Sequence, residues 1–166
     1  PDASFDLILS SYSLYFFPQI VPEIARVLSR DGFFIAITHD RGNMGELIRI
    51  VKECLSEADL PSNGRLPIEE IVERFCSENG EAFLAGSFQN IRSVGFQNQL
   101  VFAPGESQPL VAYFRFKSPF LMMNTCCDSD AISSRVAREL ERASFQPGGL
   151  RVSKNDRIFI CAVPLL

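Results

Sequence analysis

The sequence predicts an α/β fold, with one sheet whose first strands are parallel and whose last strands are antiparallel. Two observations lead to this class. Short apolar runs of strand length alternate with helical stripes of apolar residues, in the order β-α-β-α-α-β-α-α-β-β. The run Phe33–Thr38 is apolar on both faces, as in a strand that helices cover on both sides. With 166 residues, 46% of them apolar, the chain is long enough for the core of one domain.

The first forty residues predict a strand, a helix and a second strand, joined by short loops as in a right-handed βαβ unit. Phe5–Leu9 is the first strand. The helix begins near Pro18, because proline is tolerated in a first turn. We expect it to end at Arg30–Gly32, with Gly32 as the C-cap. Its core-facing stripe consists of Ile20, Ile24, Val27 and Leu28.

Two more helices are predicted next. The first begins after Asn43, which is a suitable N-cap. The second begins at Pro67 and ends at Asn79–Gly80. Their apolar stripes consist of Met44, Leu47, Ile48, Val51 and Leu55 in the first, and of Ile68, Ile71, Val72, Phe75 and Cys76 in the second.

The second half of the chain predicts strands at both ends and helices between them. Gly95 interrupts the β-type residues 88–102, which indicates a long bent strand or two strand pieces. Residues 106–144 predict two helices separated at Pro119. We expect Leu150–Ser153 and Arg157–Val163 to form a hairpin.

Charge and composition exclude several classes of partner. The net charge is −4 and the basic residues are scattered singly, so we expect neither a nucleic acid nor a membrane surface as a partner. No apolar run approaches the roughly 20 residues that span a bilayer. The five cysteines are spaced irregularly, and the pair Cys126–Cys127 matches no metal or redox motif. We therefore expect no metal site, reduced cysteines that act as small apolar side chains, and a cytoplasmic location.

Polar and ionisable side chains follow the first two predicted strands. Ser10–Ser13 come after the first strand, and His39, Asp40 and Arg41 come after the second. The carboxyl ends of adjacent parallel strands meet at one edge of a sheet, which is where α/β proteins bind ligands. His39 is the only histidine of the chain, and its ordinary pKa of about 6.5 suits a general base.

Each of these residues also has a purely structural interpretation. Ser10 and Ser11 suit the end of a strand, Tyr15 and Phe16 suit a core, and His39 suits a hydrogen-bonded loop. The glycine-containing stretch 42–45 could hold an anion or simply begin a helix. The residue pattern leaves these alternatives open.

Two segments carry a resemblance to a known family. Residues 1–17, PDASFDLILSSYSLYFF, and residues 23–35, EIARVLSRDGFFI, resemble class I S-adenosylmethionine-dependent methyltransferases, in particular the small-molecule branch of quinone and biotin biosynthesis. The shared features are an aspartate-led strand, a helix closing in Arg26-Val27-Leu28, and a turn before the next strand. Asp31 departs from the glycine or proline usual in the family. The resemblance is specific over residues 1–38 and is limited to architecture from residue 81 onward.

The resemblance implies a Rossmann-like sheet of strand order 3-2-1-4-5-7-6, of which this chain supplies strands 4-5-7-6. It implies S-adenosylmethionine as the cofactor, with its methionine part at the end of strand four. The cofactor-binding candidates are Ser10, Ser11 and Tyr12. The substrate-binding candidates are Tyr15, Phe16, Asp40 and Arg41, and His39 is the catalytic candidate.

The resemblance further implies that residues 1–166 are the carboxyl-terminal part of one methyltransferase domain. Residues 61–80 and 106–145 correspond to inserted helices that form a lid, which makes Tyr113 a further substrate-binding candidate. The family's glycine-rich loop and the acidic residues around its adenosine belong upstream of Pro1. We therefore expect this stretch alone to be inactive and its strand four to be a bare apolar edge. That edge would pair with the amino-terminal half of the domain or with itself.

The expected activity is transfer of a methyl group from S-adenosylmethionine to a small-molecule acceptor. One alternative is a non-catalytic, truncated methyltransferase-like module that binds a partner through its open edge. Another is a different Rossmann-like enzyme, such as a nucleotide-binding reductase.

Overall fold

A computed structural model describes residues 2–55, 60, 63–122 and 129–165 of the chain, which form two compact units. The first unit comprises residues 1–42, 71–98 and 155–166, and the second comprises residues 43–70 and 99–154. The pair Cys126–Cys127 and the start of the predicted lid segment 61–80 lie outside the described residues.

The first unit contains a four-stranded sheet. Its strands are β1 (Phe5–Ser11), β2 (Leu28–His39), β3 (Phe88–Phe96) and β6 (Asp156–Pro164). They lie in the order β1-β2-β6-β3, with β1 and β2 parallel and β6 antiparallel to both of its neighbours. This is the 4-5-7-6 order that the family resemblance implies, so the predicted fold class is confirmed.

Helices cover one face of this sheet. They are a short 3-10 helix, Pro18–Ile20, followed by α1 (Val21–Val27), and α4 (Gly80–Leu84). The core on this face includes Phe34 and Ala36 of β2, Phe159 and Cys161 of β6, and Ile24 of α1. Burial of the larger of these side chains, those of Phe34, Phe159 and Ile24, stabilises the folded state by about 1.5–3 kcal/mol each.

On the opposite face of the sheet, apolar side chains of β1 and β2 are exposed. Leu7 and Leu9 of β1 are 61% and 62% exposed, and Phe33 of β2 is 51% exposed. The prediction that helices cover both faces of β2 is therefore wrong for this chain. The predicted bare apolar edge is observed at β1, which pairs only with β2 among the described strands.

The second unit contains helices and a small two-stranded sheet. The helices are α2 (Gly45–Cys54), α5 (Ser107–Leu121) and α6 (Ser129–Ser144), and α3 (Pro67–Glu73) begins in this unit and ends in the first. The strands β4 (Gln99–Phe102) and β5 (Leu150–Ser153) pair with each other in antiparallel fashion. None of the described helices is long and apolar enough to cross a membrane.

The first helix ends earlier than predicted. α1 stops at Val27, because Leu28 already has an extended backbone and begins β2 beside β1. Gly32 therefore lies in a strand and is not a C-cap. A Cβ at this position would lie 2.9 Å from the backbone oxygen of Asp6, so the close approach of β1 explains the glycine.

Two helix boundaries in the middle of the chain also differ from the prediction. Met44 takes the N-cap position of α2 with a φ of 58°, while the side chain of Asn43 accepts a hydrogen bond from Lys154 Nζ at 2.9 Å. α3 ends at Glu73, and Asn79–Gly80 begins α4 where the sequence predicted a helix end. Local cap residues do not distinguish the start of one helix from the end of another.

Pro119 does not separate two helices, because it lies inside α5. Its ring lacks the N–H that would bond to the carbonyl of Arg115, and the Ser118 hydroxyl donates to that carbonyl at 2.9 Å instead.

The predicted carboxyl-terminal hairpin is also wrong, since β5 pairs with β4 and β6 joins the main sheet. The break at Gly95 falls two residues later, between β3 and β4.

The described cysteines are apolar fillers, as predicted. Cys54, Cys76 and Cys161 are free and buried. Burial is the largest cause that raises the pKa of each thiol, to about 12 for Cys161. These thiols therefore remain protonated at neutral pH.

Candidate functional site

The main sheet brings the predicted site residues of its first two strands to one edge. β1 and β2 are parallel, so their carboxyl ends, at Ser11 and His39, lie at the same edge. The backbone N–H of Tyr12 donates to the carbonyl of Ile37 at 2.9 Å, which ties the first loop to the end of β2. The antiparallel strand β6 begins at this edge, with Asp156 paired to His39.

A histidine–carboxylate pair lies at the centre of this edge. His39 Nδ1 is 2.6 Å from Asp156 Oδ1, and the two side chains are only 14% and 11% exposed. The Tyr12 hydroxyl donates to the other carboxylate oxygen, Oδ2, at 2.8 Å. The imidazole also stacks on the rings of Tyr12 and Tyr15, with centroid distances of 4.5 and 6.1 Å.

The surroundings keep both tyrosines of the stack protonated. Burial, the hydrogen bond to Asp156 and the negative charge of Asp156 raise the pKa of Tyr12 to about 12. Burial and the charge of Asp156 also raise the pKa of Tyr15. Tyr12 therefore acts as a hydrogen-bond donor at neutral pH and not as a base.

Tyr12 has an unusual backbone conformation. Its φ is 53°, in the left-handed region that residues other than glycine rarely adopt. Such conformations persist where surrounding contacts hold them, and they cluster at functional sites. Here the hydrogen bond to Asp156 and the stack on His39 are those contacts.

The other cofactor-binding candidates differ in accessibility. The buried Ser10 shares a hydrogen bond with Ser13, the two hydroxyl oxygens being 2.7 Å apart. Ser11 is exposed at the end of β1. Hydroxyl and backbone groups of this loop suit the ammonium and carboxylate groups of an amino acid.

The predicted substrate-binding residues of the first unit fall into two groups. Tyr15 is buried and Phe16 is partly buried against the core, with the two rings 4.8 Å apart, so both also have the structural role that the sequence left open. Asp40 accepts a hydrogen bond from Asn155 Nδ2 at 2.9 Å, and Arg41 Nε lies 3.2 Å from Glu73. The second group therefore belongs to a polar network.

A cleft of about 430 Å³ opens beside the histidine–carboxylate pair. Asp40, Asp156 and Arg157 line it together with Glu78 and Phe96. Asp40 Oδ1 is buried without a hydrogen-bond partner among the described residues. The lining of this cleft is polar and aromatic, as is common in sites for small molecules, and it lies at the same edge of the sheet.

Tyr113 belongs to the second unit. Its hydroxyl donates to the sulfur of Met44 at 3.3 Å, and its ring lies 6.2 Å from that of Phe102. The role of Tyr113 in substrate binding stays a prediction, as do the lid segments.

The sequence interpretation missed Asp156, which was assigned to a hairpin turn. The strand order that the resemblance implies could have indicated it, because in that order strand seven pairs with strand five, which ends at His39. The register of that pair, which sets Asp156 opposite His39, depends on tertiary packing.

Comparisons with known proteins concern the start of the chain and its fold. The family model of a methyltransferase domain matches residues 1–36. None of the curated proteins compared with the chain matches it. The match confirms the resemblance to methyltransferases over these residues.

Several solved structures are similar to the chain. The YcgJ protein of Bacillus subtilis is 17% identical, with a TM-score of 0.51 and coverage of 98% of this chain and 65% of that one. Phosphoethanolamine N-methyltransferase 2 of Haemonchus contortus, in complex with phosphomonomethylethanolamine and S-adenosylhomocysteine, is 14% identical, with a TM-score of 0.44 and coverage of 99% and 34%. The [4+2]-cyclase SpnF is 14% identical, with a TM-score of 0.44 and coverage of 98% and 52%. The chain therefore spans less than two thirds of the length of these structures, and the likeness to YcgJ shows a common fold.

Proposed function

We propose that this chain is the carboxyl-terminal part of a methyltransferase that transfers a methyl group from S-adenosylmethionine to a small-molecule acceptor. The observation that carries the proposal is the group formed by Tyr12 and His39, at the carboxyl ends of β1 and β2, and Asp156, at the start of β6, in a 4-5-7-6 sheet. The match of residues 1–36 to a methyltransferase family supports the same conclusion.

The residues of the first loop fit one end of the cofactor. Ser11 and Tyr12 are exposed residues, and the polar groups of this loop that remain free of the sheet, such as the Ser11 hydroxyl, suit the methionine part of S-adenosylmethionine. When bound, the sulfonium group supplies an electrophilic methyl carbon. The protein holds the acceptor in line with that carbon, which accounts for much of the acceleration in such displacements.

His39 is the base in this proposal. It accepts the proton of an acceptor that must lose one, while Asp40 and Arg41 contribute to the polar wall beside it. The exposed face of β1 is covered by further polypeptide, either the amino-terminal half of the domain or a second copy of the chain. In the intact enzyme the amino-terminal half of the domain supplies the contacts to the adenosine part of the cofactor.

Calorimetric titration with S-adenosylmethionine tests the proposal. The titration is done with this chain and with the whole gene product that contains it. Micromolar binding by the whole product supports the methyltransferase function. Absence of binding by both contradicts it and favours a non-catalytic binding module, for which the open apolar face of β1 is the specific observation.

Substitution of His39 by alanine tests the base. A general base contributes about 100-fold or more to the rate, so we expect turnover of the acceptor to fall by at least that factor. The measurement is the transfer of a labelled methyl group by the whole product. A fall of less than about threefold, well below this range, would mean that His39 has a structural role.

A further inference from the structure

One carboxylate serves two side chains that come from two other strands. Asp156, at the start of β6, lies 2.6 Å from His39 Nδ1 through Oδ1 and accepts the Tyr12 hydroxyl at 2.8 Å through Oδ2. His39 ends β2 and Tyr12 follows β1 directly. The three side chains therefore form a connected group at one edge of the sheet.

The contact at Oδ1 determines which ring nitrogen of His39 carries the proton. An ionised carboxylate only accepts hydrogen bonds, so the hydrogen between the two groups belongs to Nδ1. The lone pair of the neutral imidazole is then on Nε2. The same carboxylate stabilises the imidazolium that forms when Nε2 takes up a proton.

The contact at Oδ2 determines the plane of the ring. Tyr12 donates to Asp156 and stacks on the imidazole at an interplanar angle of 26°. Because Tyr12 is anchored at its hydroxyl, it holds one face of the imidazole while Asp156 holds its edge. Tyr15 lies stacked at an interplanar angle of 20°.

We propose that Asp156 is a positioning residue that fixes His39 as the Nδ1–H tautomer in the ring plane set by Tyr12, for an acceptor that gives up a proton. The proposal rests on the proposed function. In the step, the acceptor atom bonds to the methyl carbon and the carbon–sulfur bond breaks, leaving its electron pair on sulfur. The acceptor proton passes to Nε2 and from there to water.

The tautomer of His39 can be measured directly, because it is the only histidine in the sequence. In the nitrogen-15 NMR spectrum of the folded chain, we expect a protonated Nδ1 and a pyridine-like Nε2 at a pH where the ring is neutral. A neutral ring with its proton on Nε2 would overturn the proposal, and this result requires no variant.

Three variants assign the effect to the carboxylate. Asp156→Ala removes the acceptor, so we expect the Nε2–H form to gain population. Tyr12→Phe keeps the contact at Oδ1, so we expect it to retain the Nδ1–H form. Glu81→Gln removes an exposed carboxylate elsewhere in the first unit and serves as the control. An unchanged tautomer in a folded Asp156→Ala protein would overturn the proposal.

The test separates this inference from the proposed function. If the tautomer depends on Asp156 but S-adenosylmethionine does not bind, the positioning role stands and the methyltransferase proposal fails. If the cofactor binds but the tautomer does not depend on Asp156, only the positioning role fails.

Discussion

At the scale of single residues, all three tyrosines have raised pKa values. The sequence contains three, Tyr12, Tyr15 and Tyr113, and burial is the first cause that raises the pKa of each above its ordinary value of 10.0. Two of the three also face the charge of Asp156. The phenol groups are therefore more acidic in the unfolded chain than in the folded one.

This difference predicts an alkaline titration. The folded protein should show much less phenolate absorbance at pH 10 than the protein unfolded in guanidinium chloride. Because the pKa of Tyr12 is higher in the folded state, this tyrosine adds to the free energy of unfolding below pH 10. That contribution is lost as the pH rises toward about 12. Asp156→Asn should lower the pKa of Tyr12 by removing its negative neighbour. Equal phenolate absorbance in both states at pH 10 would contradict the burial of these rings.

Gly80 predicts an effect on packing. A Cβ there would lie 2.5 Å from the Phe159 ring, which is buried in the core beneath the site. We expect Gly80→Ala to destabilise the protein by about 1–3 kcal/mol, measured from the urea midpoint. The matched control is Gly45→Ala, also at the first residue of a helix, where nothing lies within 4 Å. The control should leave stability unchanged or raise it by up to about 1 kcal/mol.

At the scale of elements, one carboxylate links α2 to β5. Glu46 accepts hydrogen bonds from the hydroxyl of Ser153 at 2.6 Å and from its backbone N–H at 2.9 Å. Burial opposes ionisation of Glu46, but these hydrogen bonds outweigh it, so the pKa lies below its ordinary value of 4.5. The ionised form of Glu46 is therefore the one that stabilises the second unit.

The link predicts a pH-dependent effect of Glu46→Gln. A lowered folded pKa contributes stability above pH 4.5 that is lost as the pH falls through the folded pKa. We expect the variant to be about 1 kcal/mol less stable at pH 7 and nearly equal to the parent at pH 3. Thermal unfolding at both pH values measures this. Glu53→Gln, which breaks an exposed pair with Arg49 on the same helix, should cost less than about 0.5 kcal/mol at either pH. A loss that is independent of pH would contradict the account.

The elements also show what the sequence could predict. Apolar patterns placed α1, α2 and the strands β1 and β2, because such patterns are local and need no information from elsewhere. They assigned β5 and β6 to a hairpin, since a polar turn such as Lys154–Asn155 looks the same whether the flanking strands pair with each other or with distant partners. Ser118 offered a local signal that was missed, because its hydroxyl replaces the hydrogen bond that Pro119 removes.

At the scale of the whole molecule, the open face of β1 predicts association. Leu7 and Leu9 are exposed on the open face of β1, and β1 has a free edge among the described strands, where strands tend to recruit other strands. We expect the chain to self-associate with rising concentration in sedimentation velocity, and Leu7→Lys with Leu9→Lys to weaken this. Phe116→Lys, at a position of the second unit that is 71% exposed, is the control and should have no effect. A parent chain that stays monomeric at all concentrations would exclude pairing with itself.

The candidate site was predictable only to the extent that it follows strand ends. His39 and Tyr12 were found because parallel strands must bring their carboxyl ends together. Asp156 was not found, because a one-residue change of register would place a different side chain opposite His39. Tyr113 is different, because only the family resemblance suggested that it binds substrate. Tyr113 lies in the second unit, and its role there stays a prediction.

The position of β6 between β2 and β3 has a consequence for biosynthesis. β6 joins β2 to β3 and is the last of the four strands to leave the ribosome. Its first residue, Asp156, is made 117 residues after His39. Until it emerges, β3 has no strand partner among the described strands, and Asp156 is not yet there to contact His39. A nascent chain therefore exposes two separated pieces of an unfinished sheet until residue 156 is made, and exposed strands of this kind are prone to aggregation.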